Sequence, residues 1–168
     1  MKQMKKLLAV AMTMAILVEG VVIGNDFVQA SEVSAFTAVQ KAYGTSYPMN
    51  SANEIKTARK NIFGKYSKVL GVSAKYFKSY KAARKASSTE EYVCVVYRAT
   101  NKKNAKKIKS ALKKYVNKEK SGNVNYFSAK GKTLLNNAKI GTKGSYVYLF
   151  ILDTAKNSKA VQAFKKNV

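Results

Sequence analysis

Tyr92-Val93-Cys94-Val95-Val96-Tyr97 decides the fold. An unbroken run of apolar and aromatic residues, half of them Val, suits a β-strand with cover on both faces. A second run, Tyr146-Val147-Tyr148-Leu149-Phe150-Ile151-Leu152, carries the same signal more strongly. Each is followed by an Asn and a Lys-studded helical pattern. After Asn104, which reads as an N-cap, Ala105, Ile108, Ala111, Leu112 and Tyr115 share one helix face. After Asn157, Val161, Phe164 and Val168 do the same. This echo places the two strong strands side by side, with both C-terminal helices on one face of the sheet.

Outward from these runs, Lys139–Thr142 reads as a third strand turning at Lys143-Gly144, and Ser128–Asn137 as a short helix around Leu134 and Leu135. Gly122–Phe127 reads as a loop. Towards the N-terminus, Val33, Phe36, Val39 and Tyr43 define a helix face closed by Gly44. A turn around Pro48 follows, and Ser51 with Glu54 matches a capping box ahead of Ile55, Ala58 and Ile62. Ser73–Lys85, anchored by Tyr76, Phe77 and Tyr80, reads as a further helix. The expected fold is α+β: a small three-stranded, largely antiparallel sheet packed by C-terminal helices. An N-terminal helical segment covers the other face, or a homodimer buries it.

Residues 1–30 read as a signal peptide, and 31–168 as a single α+β domain. Lys2, Lys5 and Lys6 precede the uncharged run Leu7–Val18, which is shorter than the about 20 residues a membrane span needs. Val28-Gln29-Ala30 supplies a small-residue cleavage signal, with Ser31 as the first mature residue. Glu19 interrupts the apolar stretch, so an uncleaved anchor is the alternative. No Cys stands near Ala30 to take a lipid. The expected location is secreted or envelope-associated.

The pattern resembles an uncharacterised family of exported bacterial proteins, many of them lipoproteins of Gram-positive bacteria, called domain of unknown function 4358. Three stretches carry the likeness: Ala42-Tyr43-Gly44-Thr45-Ser46-Tyr47-Pro48-Met49-Asn50, the strand 91–99 running into the helix 104–118, and Lys143-Gly144-Ser145-Tyr146-Val147. It would cover about residues 33–166. The resemblance implies export and a compact domain, and it implies no reaction.

Composition excludes several chemistries. The 168 residues include no His, one Cys and 8 Asp+Glu. No imidazole is present as base or zinc ligand, no internal disulfide is possible, and carboxylates are scarce for a metal site. No cofactor and no metal are expected. Cys94 reads as a small buried hydrophobe. Ser110 and Lys113 have S-x-x-K spacing, but the companion motifs of penicillin-binding enzymes are absent. Gly131-Lys132-Thr133 imitates the end of a phosphate loop, yet Tyr126 stands where that loop needs its first Gly. Asp153 reads as a local cap or pair, and Glu90 and Glu91 point to opposite sides of a strand. The 11 Tyr read mostly as core periphery.

Charge is what stands apart: 32 Lys+Arg give a net +24. Removing residues 1–30 changes this by only one. Lys102, Lys103, Lys106, Lys107, Lys109, Lys113, Lys114 and Lys118 crowd one helix, and Lys159, Lys165 and Lys166 the last. Arg59, Arg84 and Arg98 are the only arginines. Lys supplies diffuse attraction to a polyanion, whereas bidentate recognition favours Arg. The expected function is therefore non-enzymatic: an exported domain holding an anionic envelope component, wall polymer or lipid headgroups, through those lysines. Extracellular nucleic acid is a further, non-specific partner. The alternatives are a structural or partner-binding module with incidental charge, and a hydrolase with an unrecognised Ser/Lys site.

Overall fold

The computed structural model of the chain describes residues 31–50, 53–55, 68–122 and 127–168. The expected signal peptide, and most of the helix expected after Ser51, lie outside these residues. Within them, four α-helices flank a four-stranded antiparallel sheet, and a two-stranded hairpin sits beside it.

Helix α1 (Glu32–Tyr43) starts at Ser31, whose Oγ accepts from the Ser34 amide at 2.9 Å. The Ser31 amide donates to Ser34 Oγ in return. Gly44, at φ 76°, ends the helix. Its buried face is Glu32, Ala35, Phe36, Val39 and Tyr43, while Val33 stands 49% exposed. The expected stripe was therefore wrong at its first position.

Strands β1 (Lys68–Val69) and β2 (Val72–Ser73) form the small hairpin. Its turn, Leu70-Gly71, has positive φ at both positions, as tight hairpins require. Strand β3 (Phe77–Ala86) follows a 3-10 turn at Ala74–Tyr76. The expected helix over Ser73–Lys85 is thus corrected to an edge strand, and the three-stranded sheet to four strands in the order β3-β4-β6-β5. Glu54 extends the pairing through a bridge to Ala83, and the Ile55 amide donates to the Ala82 carbonyl at 2.8 Å.

Strand β4 (Glu91–Ala99) and strand β6 (Tyr146–Ile151) are the two strong runs, and they pair directly. Strand β5 (Lys139–Lys143) closes the other edge. Helix α2 (Lys102–Gly122) and helix α3 (Ala129–Asn136) connect β4 to β5, and helix α4 (Thr154–Lys166) ends the fold.

Alternation sorts β4 and β6 into two faces. Cys94, Val96, Tyr148 and Phe150 point to α1 and α4, where Phe164 packs with its ring 4.5 Å from Tyr148. Val93, Val95, Tyr97, Leu149 and Ile151 point to α2, α3 and the hairpin, where Tyr97 Oη donates to the Val69 carbonyl at 2.8 Å. Both faces are covered within the chain, as those apolar runs demand, and no dimer is needed to bury either.

The two Lys-rich helices do not share a face. α2 packs against β4, β5 and β6 on one side of the sheet, and α4 packs against α1 on the other. The strand–Asn–helix echo therefore gave the neighbouring strands correctly and the helix placement wrongly. Both caps sit one turn earlier than expected. Asn101 Oδ1 accepts from the Asn104 amide at 2.8 Å, and Asp153 occupies the N-cap of α4. Asn157 is instead buried, donating to the Asn137 and Leu152 carbonyls.

Candidate functional site

Helix α2 has one apolar stripe, Ala105, Ile108, Leu112 and Val116, fully committed to the sheet. That stripe turns the lysines outward. Lys102, Lys103, Lys106, Lys107, Lys113, Lys114 and Lys118 are exposed, and Lys109 is half-buried. No acid occupies the first turn to offset the positive end of the helix dipole. Lys159, Lys165 and Lys166 are also exposed, but on α4, across the sheet. The expected cation set thus divides into a large field on α2 and a separate group on α4. The two approach each other at one end of the sheet, where α2 begins and α4 finishes.

That end is defined by register. Phe77 pairs Ala99, Arg98 pairs Tyr146, and Lys143 pairs Tyr146. Lys143 Nζ, at the β5–β6 turn, donates to the Lys165 carbonyl and so fixes the end of α4 there. Beside the start of α2, Lys75 and Lys107 lie 5.2 and 5.1 Å from the Tyr76 ring centroid, a cation–π arrangement.

Carboxylates gather at the opposite end. Glu91 opens β4 and is buried; its Oε1 accepts from Arg84 Nε at 2.7 Å and from Tyr115 Oη. Desolvation, and then the negative charge of Glu91, push the Tyr115 hydroxyl far up. Glu91 and Arg84 line a cavity of about 160 Å³ with Ser87, Ser88, Glu119 and Phe127. Glu90 faces the other way, accepting from Tyr92 Oη at 3.0 Å and pairing Lys130 at 3.3 Å. Asp153 accepts from Tyr43 Oη, tying the end of α1 to the start of α4. It is a long-range pair rather than a local one, and its side chain makes no cap hydrogen bond.

The chemical candidates find structural employment. Ser110 and Lys113 lie on the outer, solvent side of α2. Thr133 Oγ1 donates to the Ala129 carbonyl inside α3, and Gly131 packs against backbone. The set that comes nearest a Ser/Lys pair was missed in the sequence: Lys156 Nζ donates to Ser46 Oγ and to the Tyr43 carbonyl, both at 2.8 Å. Lys156 also lies 5.0 Å from the Tyr43 ring centroid. This is the geometry of a cation closing a helix C-terminus. Only three-dimensional proximity reveals it, since the partners are 110 residues apart. Among the described residues no group of three His, Cys, Asp or Glu is placed to hold a metal ion.

Cys94 is fully buried, and burial pushes its thiol from 9.0 up to about 12. A thiol reagent at pH 8 is expected to leave Cys94 untouched in the native protein and to label it fully in denaturant. Labelling of native protein at the rate of a free thiol would contradict the burial. The raised value also sets a sign: its stabilisation is complete below pH 9 and is lost as pH rises through about 12.

Residues 63–152 match the family described as Domain of unknown function (DUF4358). No curated protein and no solved structure matches the chain. The match takes in the hairpin, the whole four-stranded sheet, α2 and α3, and stops before α4. It is narrower than the expected 33–166: the Ala42–Asn50 stretch lies outside it, while the 91–118 and 143–147 stretches lie inside.

Proposed function

The chain belongs to the DUF4358 family, whose function is unknown, and from that premise we propose a non-enzymatic exported domain that holds an anionic envelope component through a Lys-rich surface. Seven exposed lysines on α2, with Glu119 as the helix's sole acid, carry the reading. A solvated helix normally mixes signs. Here the imbalance is unneutralised along the helix, and self-repulsion is relieved when an anionic partner docks. The lysines mapped to α2 fall within the family match, and those on α4 fall outside it.

The reading is tested by retention of the protein on cell wall and on anionic vesicles as salt rises to about 0.5 M, where screening is strong. The expected result is tight retention at low salt, with log affinity falling linearly in log salt. Retention that is absent, or indifferent to salt, removes the proposal.

Two observations weigh on the alternatives. A partner-binding module would present an exposed apolar patch, but among the described residues Val33 is the one large hydrophobic side chain left exposed. A Ser/Lys hydrolase would draw on Ser46 and Lys156, whose contacts already serve as a helix stop.

A further inference from the structure

Between the β3–β4 turn, the end of α2 and Phe127 lies the cavity of about 160 Å³. Glu91 borders it with a side chain only 1% exposed. The two oxygens of that carboxylate are unequally served. Oε1 accepts from Arg84 Nε at 2.7 Å and from Tyr115 Oη, whereas Oε2 is buried and has no donor. Buried acceptors in folded proteins are almost always met. An acceptor whose carboxylate borders open space is met by what enters that space.

The cavity wall selects what enters. It holds two carboxylates, Glu91 and Glu119, against one guanidinium, that of Arg84, and no Lys. The local balance is therefore negative in a chain of net +24. Ser88 adds a hydroxyl at the rim, and Phe127 an apolar surface. Two carboxylates fall short of the about six to eight oxygens that calcium takes. Among the described residues no third His, Cys, Asp or Glu joins them. A cavity of about 150 Å³ encloses a ring of about six carbons, so a short organic group fits here.

We infer that this cavity binds a small organic ligand through a primary ammonium group, which gives Glu91 Oε2 its missing donor and balances the excess carboxylate, while its short alkyl body lies against Phe127. The site is independent of the polyanion reading, because its ligand carries the opposite charge. In a chain this basic a free cation is repelled from most of the surface, so saturable binding of one reports a built site.

The test titrates the full chain at constant ionic strength with n-butylammonium chloride, and follows the backbone amide shifts of residues 84–91 by NMR. The expected Kd is of order 1–10 mM, the range open to a ligand of about five non-hydrogen atoms. Tetramethylammonium has the same atoms and charge but no N–H, and is expected to bind at least about 10-fold more weakly. Glu91→Gln is expected to weaken butylammonium binding by about 10-fold or more. Glu119→Gln leaves the Arg84–Glu91 pair in place and is expected to weaken it by about threefold or more. Glu90→Gln removes the same charge from the other side of β4 and is expected to change Kd by less than about twofold. Absence of saturation overturns the site and leaves Oε2 to a water molecule. Equal binding of the two cations overturns the ammonium hydrogen bond. Equal effects of Glu119→Gln and Glu90→Gln reduce the affinity to net charge and overturn the site. Displacement of butylammonium by calcium chloride at lower concentration overturns the ligand class in favour of a metal ion.

Discussion

Gly131→Ala is expected to destabilise the fold by about 2–4 kcal/mol, a loss of roughly 10 °C in Tm. A Cβ at this position would lie 2.1 Å from the Thr89 carbonyl oxygen and 3.0 Å from Phe127 Cδ1. The first contact is with backbone, so no rotamer change relieves it. Thr89 sits in the β3–β4 turn, held by Ser87, whose Oγ accepts from the Glu90 amide at 3.0 Å. The start of α3 is bonded to that same carbonyl: the Ser128 amide donates to it at 3.1 Å and Ser128 Oγ at 3.2 Å. A methyl group must push α3 off the turn, stretching both hydrogen bonds at about 1 kcal/mol each and adding overpacking of about 1–3 kcal/mol. The better helix propensity of Ala returns about 1 kcal/mol. Gly122→Ala is the control. It lies at the end of α2 with nothing within 4 Å of its would-be Cβ. The same substitution there is expected to be neutral or stabilising by up to about 1 kcal/mol. Chemical denaturation of both variants decides the matter; equal stabilities would mean that α3 does not approach the turn.

The elements that were legible are those in which burial writes itself into the residues. Tyr92–Tyr97 and Tyr146–Leu152 are apolar on both faces because helices lie on both sides of the central strands. The stripe of α2 was legible for the same reason. β3 was not. Tyr76, Phe77, Tyr80 and Ala83 fall at helical spacing, and Lys78, Lys81, Ala82, Ala83, Arg84 and Lys85 are residues that helices favour. The strand forms because the outer edge of β4 needs a hydrogen-bonding partner, and Lys on an edge strand is a common guard against further pairing. A register shift between Phe77 and Ser79 also breaks the alternation that would have betrayed it.

The candidate surface was half legible. The lysines of α2 and their outward direction follow from the heptad-like stripe at Ile108 and Leu112. The relation of α2 to α4 does not, because an echo of strand and helix is silent about which face each helix takes. Antiparallel neighbours joined to helices by short connections admit either placement. The separation of charge by ends was illegible for another reason. Glu91 and Glu119 are far apart in sequence and are brought to one cavity by the antiparallel run of α2 along β4.

Glu91 supplies the other large expected effect, with Glu91→Ala costing about 3–4 kcal/mol. Its side chain is 1% exposed and its Oε1 accepts two hydrogen bonds, from Arg84 and Tyr115. Truncation leaves the half-buried Tyr115 hydroxyl without its acceptor beside an enlarged cavity. Arg84 suffers less, because its side chain is 40% exposed and turns to water. Glu91→Gln retains the volume and one acceptor. It loses the charge and places an amide donor where Oε2 now lies buried without a partner, so about 1–2 kcal/mol is expected. Tyr115→Phe removes only the donor and is expected to cost about 1.5 kcal/mol. These numbers imply non-additivity: once Glu91 is Ala, Tyr115→Phe no longer breaks a bond and relieves an unpaired hydroxyl. In a double-mutant cycle the Ala/Phe chain should be no less stable than Glu91→Ala alone, a coupling of about 1.5 kcal/mol or more. Additive losses would show that Tyr115 and Glu91 do not act on each other, and would detach the end of α2 from the start of β4.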